Sequence, residues 1–163
     1  MTKPLRVFAL IAAVLVLAAA PGAGPAQSQA NLVTFDRDEI AIETAAGGRH
    51  IFEVEMAVSP DQRSQGLMFR HSMAAMAGML FLFERPEPRA MWMKNTLIPL
   101  DMLFIDEGGV IVRIQERTVP FSLQAISSGQ DVIAVLELNA GTSSRLSIKP
   151  GDRVIHSAFE SGS

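Results

Sequence analysis

Between Met91 and Asp106 the chain gathers polar side chains inside an otherwise apolar run: Trp92, Lys94, Asn95, Thr96 and Asp101. If Met91–Thr96 is extended, Trp92, Lys94 and Thr96 share one face and Met91, Met93 and Asn95 the other, because strand side chains alternate. Trp92 beside Lys94 then forms an aromatic platform next to a cation. Asn95 and Asp101 flank the bend at Pro99, and Arg70, further back, can add a second cation to the same cleft. Such a set holds a small polar or anionic ligand by stacking, charge and orientation. The ligand-binding residues expected are therefore Arg70, Trp92, Lys94, Asn95 and Asp101. The same residues also have a purely structural reading. Asn95 can satisfy a turn, Asp101 can pair with Lys94 or Arg70, and Trp92 can fill core space.

Other chemistries find less support. Met91 and Met93 bracket Trp92, and thioethers bind Cu(I), so copper handling is an alternative. Methionine is also a pliable core filler, and Met68, Met73, Met76 and Met79 need only pack. His71 and Ser72 are adjacent, with Asp101 or Asp106 as conceivable partners, but no Gly-x-Ser-x-Gly elbow is present. The three histidines, of which His50 and His156 fall in expected surface segments, lack metal-ligand spacing. With no cysteine and no tyrosine, thiolate nucleophiles, thiolate metal sites and disulfides are excluded. No catalytic residue, metal ligand or cofactor is assigned.

The elements that must position this run read as short strands. Leu32–Phe35 and Ile40–Thr44 are candidate strands, with Ala45–Gly48 a hairpin turn. Phe52, Val54, Met56 and Val58 alternate with Glu53 and Glu55, a strand with one wet face. Ser59-Pro60-Asp61-Gln62 is a helix start with a capping box, and the helix is expected to run to about Met68 through Gly66. Arg63 and Arg70 bracket it, and Glu53, Glu55 and Asp101 are their plain ion-pair partners. Gly78–Phe83 is an apolar strand, and Glu84–Arg89, with two prolines, a surface loop without ladder bonds. Met91–Asp106 is expected to be strand, bend and strand, with Glu107-Gly108-Gly109 turning into Val110–Ile114. Phe121–Gln130 reads as a polar loop and Val132–Leu138 as a central strand apolar on both faces. Asn139 is expected to cap a short helix to Leu146, and Lys149-Pro150-Gly151-Asp152 turns into a last strand, Arg153–Ala158. The sum is a mainly β (α+β), small barrel-like mixed β domain with two short helices.

The N-terminus has another purpose. Lys3 and Arg6 precede an apolar run, Val7–Ala20, too short to span a membrane, and Ser28-Gln29-Ala30 offers small residues for cleavage. Residues 1–30 are thus expected to be a signal peptide, with cleavage after Ala30 or alternatively Ala26. Residues 31–163 are then one exported domain, periplasmic or secreted. Without Lys3 and Arg6 there remain 12 basic and 17 acidic side chains, a net charge of −5. That balance disfavours a nucleic-acid partner, and no polybasic patch suggests a membrane surface.

Three blocks carry a family resemblance. They are Arg63-Ser64-Gln65-Gly66-Leu67-Met68-Phe69-Arg70 followed by Gly78-Met79-Leu80-Phe81; Trp92 through Met102; and Val135-Leu136-Glu137-Leu138 through Lys149-Pro150-Gly151-Asp152. In this order they resemble the bacterial and archaeal domain of unknown function family 192. The resemblance spans nearly the whole of residues 31–163. It implies a single small β-rich domain, often exported, and brings no activity, cofactor or catalytic residue. The function expected is non-catalytic binding of a small polar or anionic ligand by a monomer. The alternatives are a structural or protein-interaction module of the cell envelope and, third, a periplasmic enzyme or Cu(I)-handling protein.

Overall fold

Alternation in residues 49–57 produces the strand it predicts. In β2 (Arg49–Ala57), Phe52, Val54 and Met56 are buried while Glu53 stays exposed. β2 pairs antiparallel with β1 (Asp36–Glu43) across a turn in which Gly47 has φ +85°. Beyond β2 the capping box closes as expected. Ser59 accepts from the Gln62 amide, the Gln62 side chain accepts from the Ser59 amide, and Pro60 opens α1 (Pro60–Gln65). This short helix is the crossover to β3 (Ala77–Met91), which pairs parallel with β2. β4 (Leu100–Ile105) and β5 (Ile111–Gln115) form an antiparallel hairpin. β6 (Ile126–Asn139) lies between β3 and β4, antiparallel to both. After α2 (Thr142–Leu146), β7 (Arg153–Ile155) pairs with β1.

The computed structural model describes residues 33–159. The expected signal peptide and the tail from Glu160 lie outside the described residues. The strand order is β5-β4-β6-β3-β2-β1-β7. Val110, just before β5, bridges to Arg153 of β7, so the two sheet edges meet and the barrel is nearly closed. Side chains of one parity fill the interior, among them Ile40, Phe52, Leu80, Leu103, Ile111, Leu136 and Val154. Side chains of the other parity on β3, β4 and β6 build a second cluster outside the barrel, with Met79, Phe81, Met102, Phe104 and Val135. Leu67, after α1, and Met93, in the β3–β4 connection, cover it. A mainly β, barrel-like fold with two short helices is what the sequence predicts.

Several local expectations are corrected. Val33–Phe35 is not a strand, because its backbone is bound by side chains of α1: the Val33 amide donates to Gln65 Oε1 and the Thr34 carbonyl accepts from Gln62. Glu84–Arg89 is part of β3 rather than a free loop. Register shifts between Leu82 and Glu87 and between Pro88 and Ala90 absorb the prolines, since bulges tolerate a missing donor. Phe121–Gln130 is only partly loop, as β6 begins at Ile126. α1 stops at Gln65, with Gly66 as its C-cap at φ 47°. Asn139 does not cap α2; its amide donates to the carbonyls of Met73 and Ala74. The last strand ends at Ile155, and Ser157–Phe159 forms a 3₁₀ turn. His156 is buried, with Nε2 3.1 Å from Asp38 Oδ2, not on the surface.

Candidate functional site

Met91 ends β3, and residues 92–99 form the connection to β4 rather than a strand. The Thr96 amide donates to the Met93 carbonyl, and Asn95 takes a left-handed φ of 54°. This turn is tied to two neighbouring segments. Phe69 donates its amide to the Asn95 carbonyl, Phe121 to that of Thr96, and Met93 to that of Ser122. Phe69, Asn95, Arg117 and Phe121 all have positive φ, four of the five described non-glycine residues that do. Strain of this kind, of order 1–3 kcal/mol per residue, concentrates where surrounding structure must hold a shaped surface.

Between this loop cluster, α1 and the outer face of β3 lies a cavity of about 480 Å³. Its wall on the helix side is Pro60 and the run Arg63 to Met68. Arg63 fixes that wall, donating to the Val58 carbonyl and, at 3.0 Å, to that of Leu82. Phe81, Phe83 and Met91 of β3 form the opposite wall, with Arg89 stacked 4.0 Å from the Phe83 ring centroid. Trp92 and Lys94 stand at the mouth, Lys94 Nζ 5.7 Å from the Trp92 ring centroid. Trp92 is 56% exposed, unusual for so large an apolar side chain. No ion pair to Lys94 occurs among the described residues.

The cavity is also lined by a residue outside the expected set. Glu137, on the outer face of β6, lines the cavity and is only 4% exposed. Burial pushes its carboxyl up to about 8, and among the described residues it makes no side-chain hydrogen bond. A carboxyl so buried costs several kcal/mol when it has no partner, so it calls for a reason. Its signal in the sequence was a lone ionisable residue within Val132–Leu138, otherwise apolar.

Of the five residues expected to bind ligand, the structure brings Trp92 and Lys94 to the cavity and places three elsewhere. Arg70 forms a two-point ion pair with Glu55, beside a separate concavity of about 220 Å³. Asn95 lies behind the mouth, its amide 3.8 Å from Met68 Sδ. Asp101 is fully buried on the barrel-facing side of β4. Its Oδ1 accepts from the amides of Arg117 and Gly141, each at 2.9 Å, and its Oδ2 from that of Ser143, also at 2.9 Å. It serves as the N-terminal cap that Gly141, lacking a side chain, cannot supply to α2. His71 is exposed, while His156 is bound to Asp38, so the hydrolytic alternative does not assemble. Glu137 is the one carboxyl among the described lining residues, which leaves no second acid for two-carboxylate chemistry.

A family model described as DUF192, uncharacterized ACR, matches residues 41–156, from β1 to the end of β7. The chain belongs to the DUF192 family. The match encloses every cavity residue named above. Among solved structures, a DUF192-like fold is shared with a Sinorhizobium meliloti 1021 protein described as a "putative transcription regulator". That protein is 49% identical, with a TM-score of 0.76, covering 78% of this chain and 98% of the other. A Novosphingobium aromaticivorans DSM 12444 protein of unknown function is 34% identical at a TM-score of 0.72, covering 85% of this chain and 94% of the other. No curated protein matches.

Proposed function

We propose that this DUF192 protein binds a small polar or anionic ligand in the cavity beneath α1, without turning it over, and that it does so outside the cytoplasm after export. One observation carries the reading: Trp92 and Lys94, 5.7 Å from the Trp92 ring centroid, stand over a cavity lined by the buried Glu137, and among the described residues neither charged group has an ion pair. A protonated Glu137 donates one hydrogen bond to an acceptor on the ligand's inner end. Lys94 attracts the anionic or polar end left at the mouth, and Trp92 covers the ligand's apolar face. The description of the Sinorhizobium relative concerns that protein; here 17 acidic against 14 basic residues argue against a nucleic-acid partner.

Trp92 is the only tryptophan, so its emission reports on the mouth directly. Small sugars, sugar phosphates and carboxylates are titrated against the protein, following Trp92 fluorescence and thermal stability together. A true ligand shifts both. Lys94→Ala then weakens an anionic ligand about tenfold, the value of one charge-assisted contact. If none of these classes moves either signal, the reading fails.

A specific observation also supports an interaction module. Phe69, Trp92, Val119, Phe121 and Leu123 are all exposed on the loops that the backbone bonds tie together. Clustered exposed apolar groups of this kind mark contact surfaces. On that reading Phe121→Ser and Leu123→Ser abolish self-association or partner capture while the Trp92 titrations stay silent.

A further inference from the structure

Two guanidinium groups gather on the Phe83 ring. Arg89 Cζ lies 4.0 Å from the ring centroid and Arg63 Cζ 5.5 Å. All three residues line both the cavity and a smaller concavity of about 290 Å³, so the two spaces share one charged wall. The donors on that wall are unevenly used. Arg63 directs Nη1 to the carbonyls of Val58 and Leu82. Arg89 directs Nη1 to Glu87, at 2.5 Å, and donates Nη2 to the Arg85 carbonyl, at 3.0 Å. Its Nε is buried and has no partner among the described residues. A buried donor on a charged group is costly to leave unpaired, which marks Nε as a place where an acceptor arrives.

The charges around this wall do not balance. Arg63, Arg85 and Arg89 line the smaller concavity with Glu84 and Glu87, an excess of one positive charge. Glu87 is itself shared, since its second oxygen lies 3.5 Å from Arg85 Nε. Lys94, with no ion pair among the described residues, adds a second uncompensated cation at the mouth. Glu137 is the neutral acid below about pH 8 and offsets neither. We infer that the ligand of this cavity is a small dicarboxylate, one carboxylate at Lys94 and the other at the Nε–H of Arg89, its methylene chain against Phe81 and Met91. The inference rests on the ligand reading above and narrows it. Two negative charges match the two uncompensated cations, whereas a monoanion leaves one of them unmatched in a partly buried site. One free donor, on a guanidinium otherwise committed to Glu87 and a carbonyl, suits the single charge of a carboxylate. A phosphate, with more charge and three acceptor oxygens, calls for several donors.

Succinate, glutarate, adipate and pimelate, each beside its own monomethyl ester, are titrated calorimetrically near neutral pH. A parallel NMR titration follows the protein with ¹⁵N-labelled arginine. At least one diacid binds about tenfold more tightly than its ester, the worth of a second charge-assisted contact. The Nε–H resonance of Arg89 moves downfield with that diacid and stays in place with the ester. Arg89→Gln brings the diacid down to the affinity of the ester, whose own affinity does not change. Glu87→Gln acts in the opposite direction, because it frees Nη1 of Arg89, and tightens the diacid by about threefold or more. Arg145→Gln, the same loss of charge on the exposed surface of α2, changes neither affinity. A diacid and ester that bind equally through Lys94, or a diacid advantage that survives Arg89→Gln, would overturn the inference and leave the broader ligand reading standing. Should no carboxylate of either kind bind, the inference falls, and the broader reading falls with it only when sugars and sugar phosphates are silent too. If Arg89→Gln fails to fold, Glu87→Gln decides: unchanged or weaker diacid binding in that variant overturns the assignment of Arg89.

Discussion

Glu137 makes a measurable contribution to stability whatever the cavity holds. Its folded value of about 8 lies above the ordinary 4.5, so between these pH values the folded state keeps a proton that the unfolded chain has released. Stability is therefore full below about pH 4.5 and falls as pH rises toward 8, reversing the usual carboxylate trend, with the loss reaching roughly 3–5 kcal/mol. Glu137→Gln removes this slope, so the variant is the more stable protein at pH 8. Urea unfolding of both proteins across pH 5–8 measures the divergence; parallel curves would show that the carboxyl is not buried uncharged. Asp101 is buried too, but its side chain has three backbone donors. Asp101→Asn keeps one acceptor oxygen and turns an NH₂ toward an amide donor, which costs roughly 2–4 kcal/mol and speeds hydrogen exchange at Gly141 and Ser143. Unchanged exchange at those two amides would refute the capping role. From the sequence, Asp101 looked like a ligand contact because it sits next to a bend. Only the strand's parity, which points it away from Trp92, shows otherwise. Trp92 and Lys94 were legible because an aromatic and a cation two residues apart stay neighbours in a turn as well as in a strand.

At the level of elements, α1 forms as the Ser59–Gln62 box requires, and its end sets the cavity's shape. Gly66 has φ 47° and ψ −136°, a backbone region essentially closed to other residues, and a Cβ there would lie 3.0 and 3.2 Å from two atoms of the Phe81 ring. Gly66→Ala should cost roughly 2–4 kcal/mol in unfolding free energy. It should also alter Trp92 emission, because α1 and Phe81 are the cavity's two walls. A variant as stable as the parent, with unchanged emission, would mean that the wall is not set by this glycine. The sequence showed the glycine as a cost inside a longer helix; its role as a stop depends on a ring fifteen residues later, which propensity cannot reveal. The same limit explains β3. Two prolines argue against a strand locally, but β6 pairs with the segment on both sides of its bulges, and that long-range pairing overrides the local signal.

For the whole molecule, the alternation of β2 and the two-faced apolar character of β6 were enough to indicate a mainly β domain with β6 at its centre. Closure was not readable, because it depends on a few bonds between chain segments some forty residues apart. The edges meet where the Ile111 amide donates to the Asp152 carbonyl, Gly151 to that of Ile111, and Val154 to that of Gly109. Asp152 reinforces the seam, accepting from the amides of Ala45 and Lys149 at 2.9 and 2.7 Å. Gly109 is the narrow point. Its φ is +77°, and a Cβ would stand 2.5 Å from the Val154 carbonyl oxygen, a backbone atom that cannot move without opening the barrel. Gly109→Ala should therefore cost about 3 kcal/mol and act regionally rather than globally. Amide exchange at Ile111 and Val154 should rise toward that of an open edge, while Leu80 and Val135, in the paired strands β3 and β6, remain the slowest in the protein. The cavity lies on the outer face of β3 and β6, away from the seam, so Trp92 emission should survive the change. Retained protection at Val154 would show that the barrel closes by some other set of contacts.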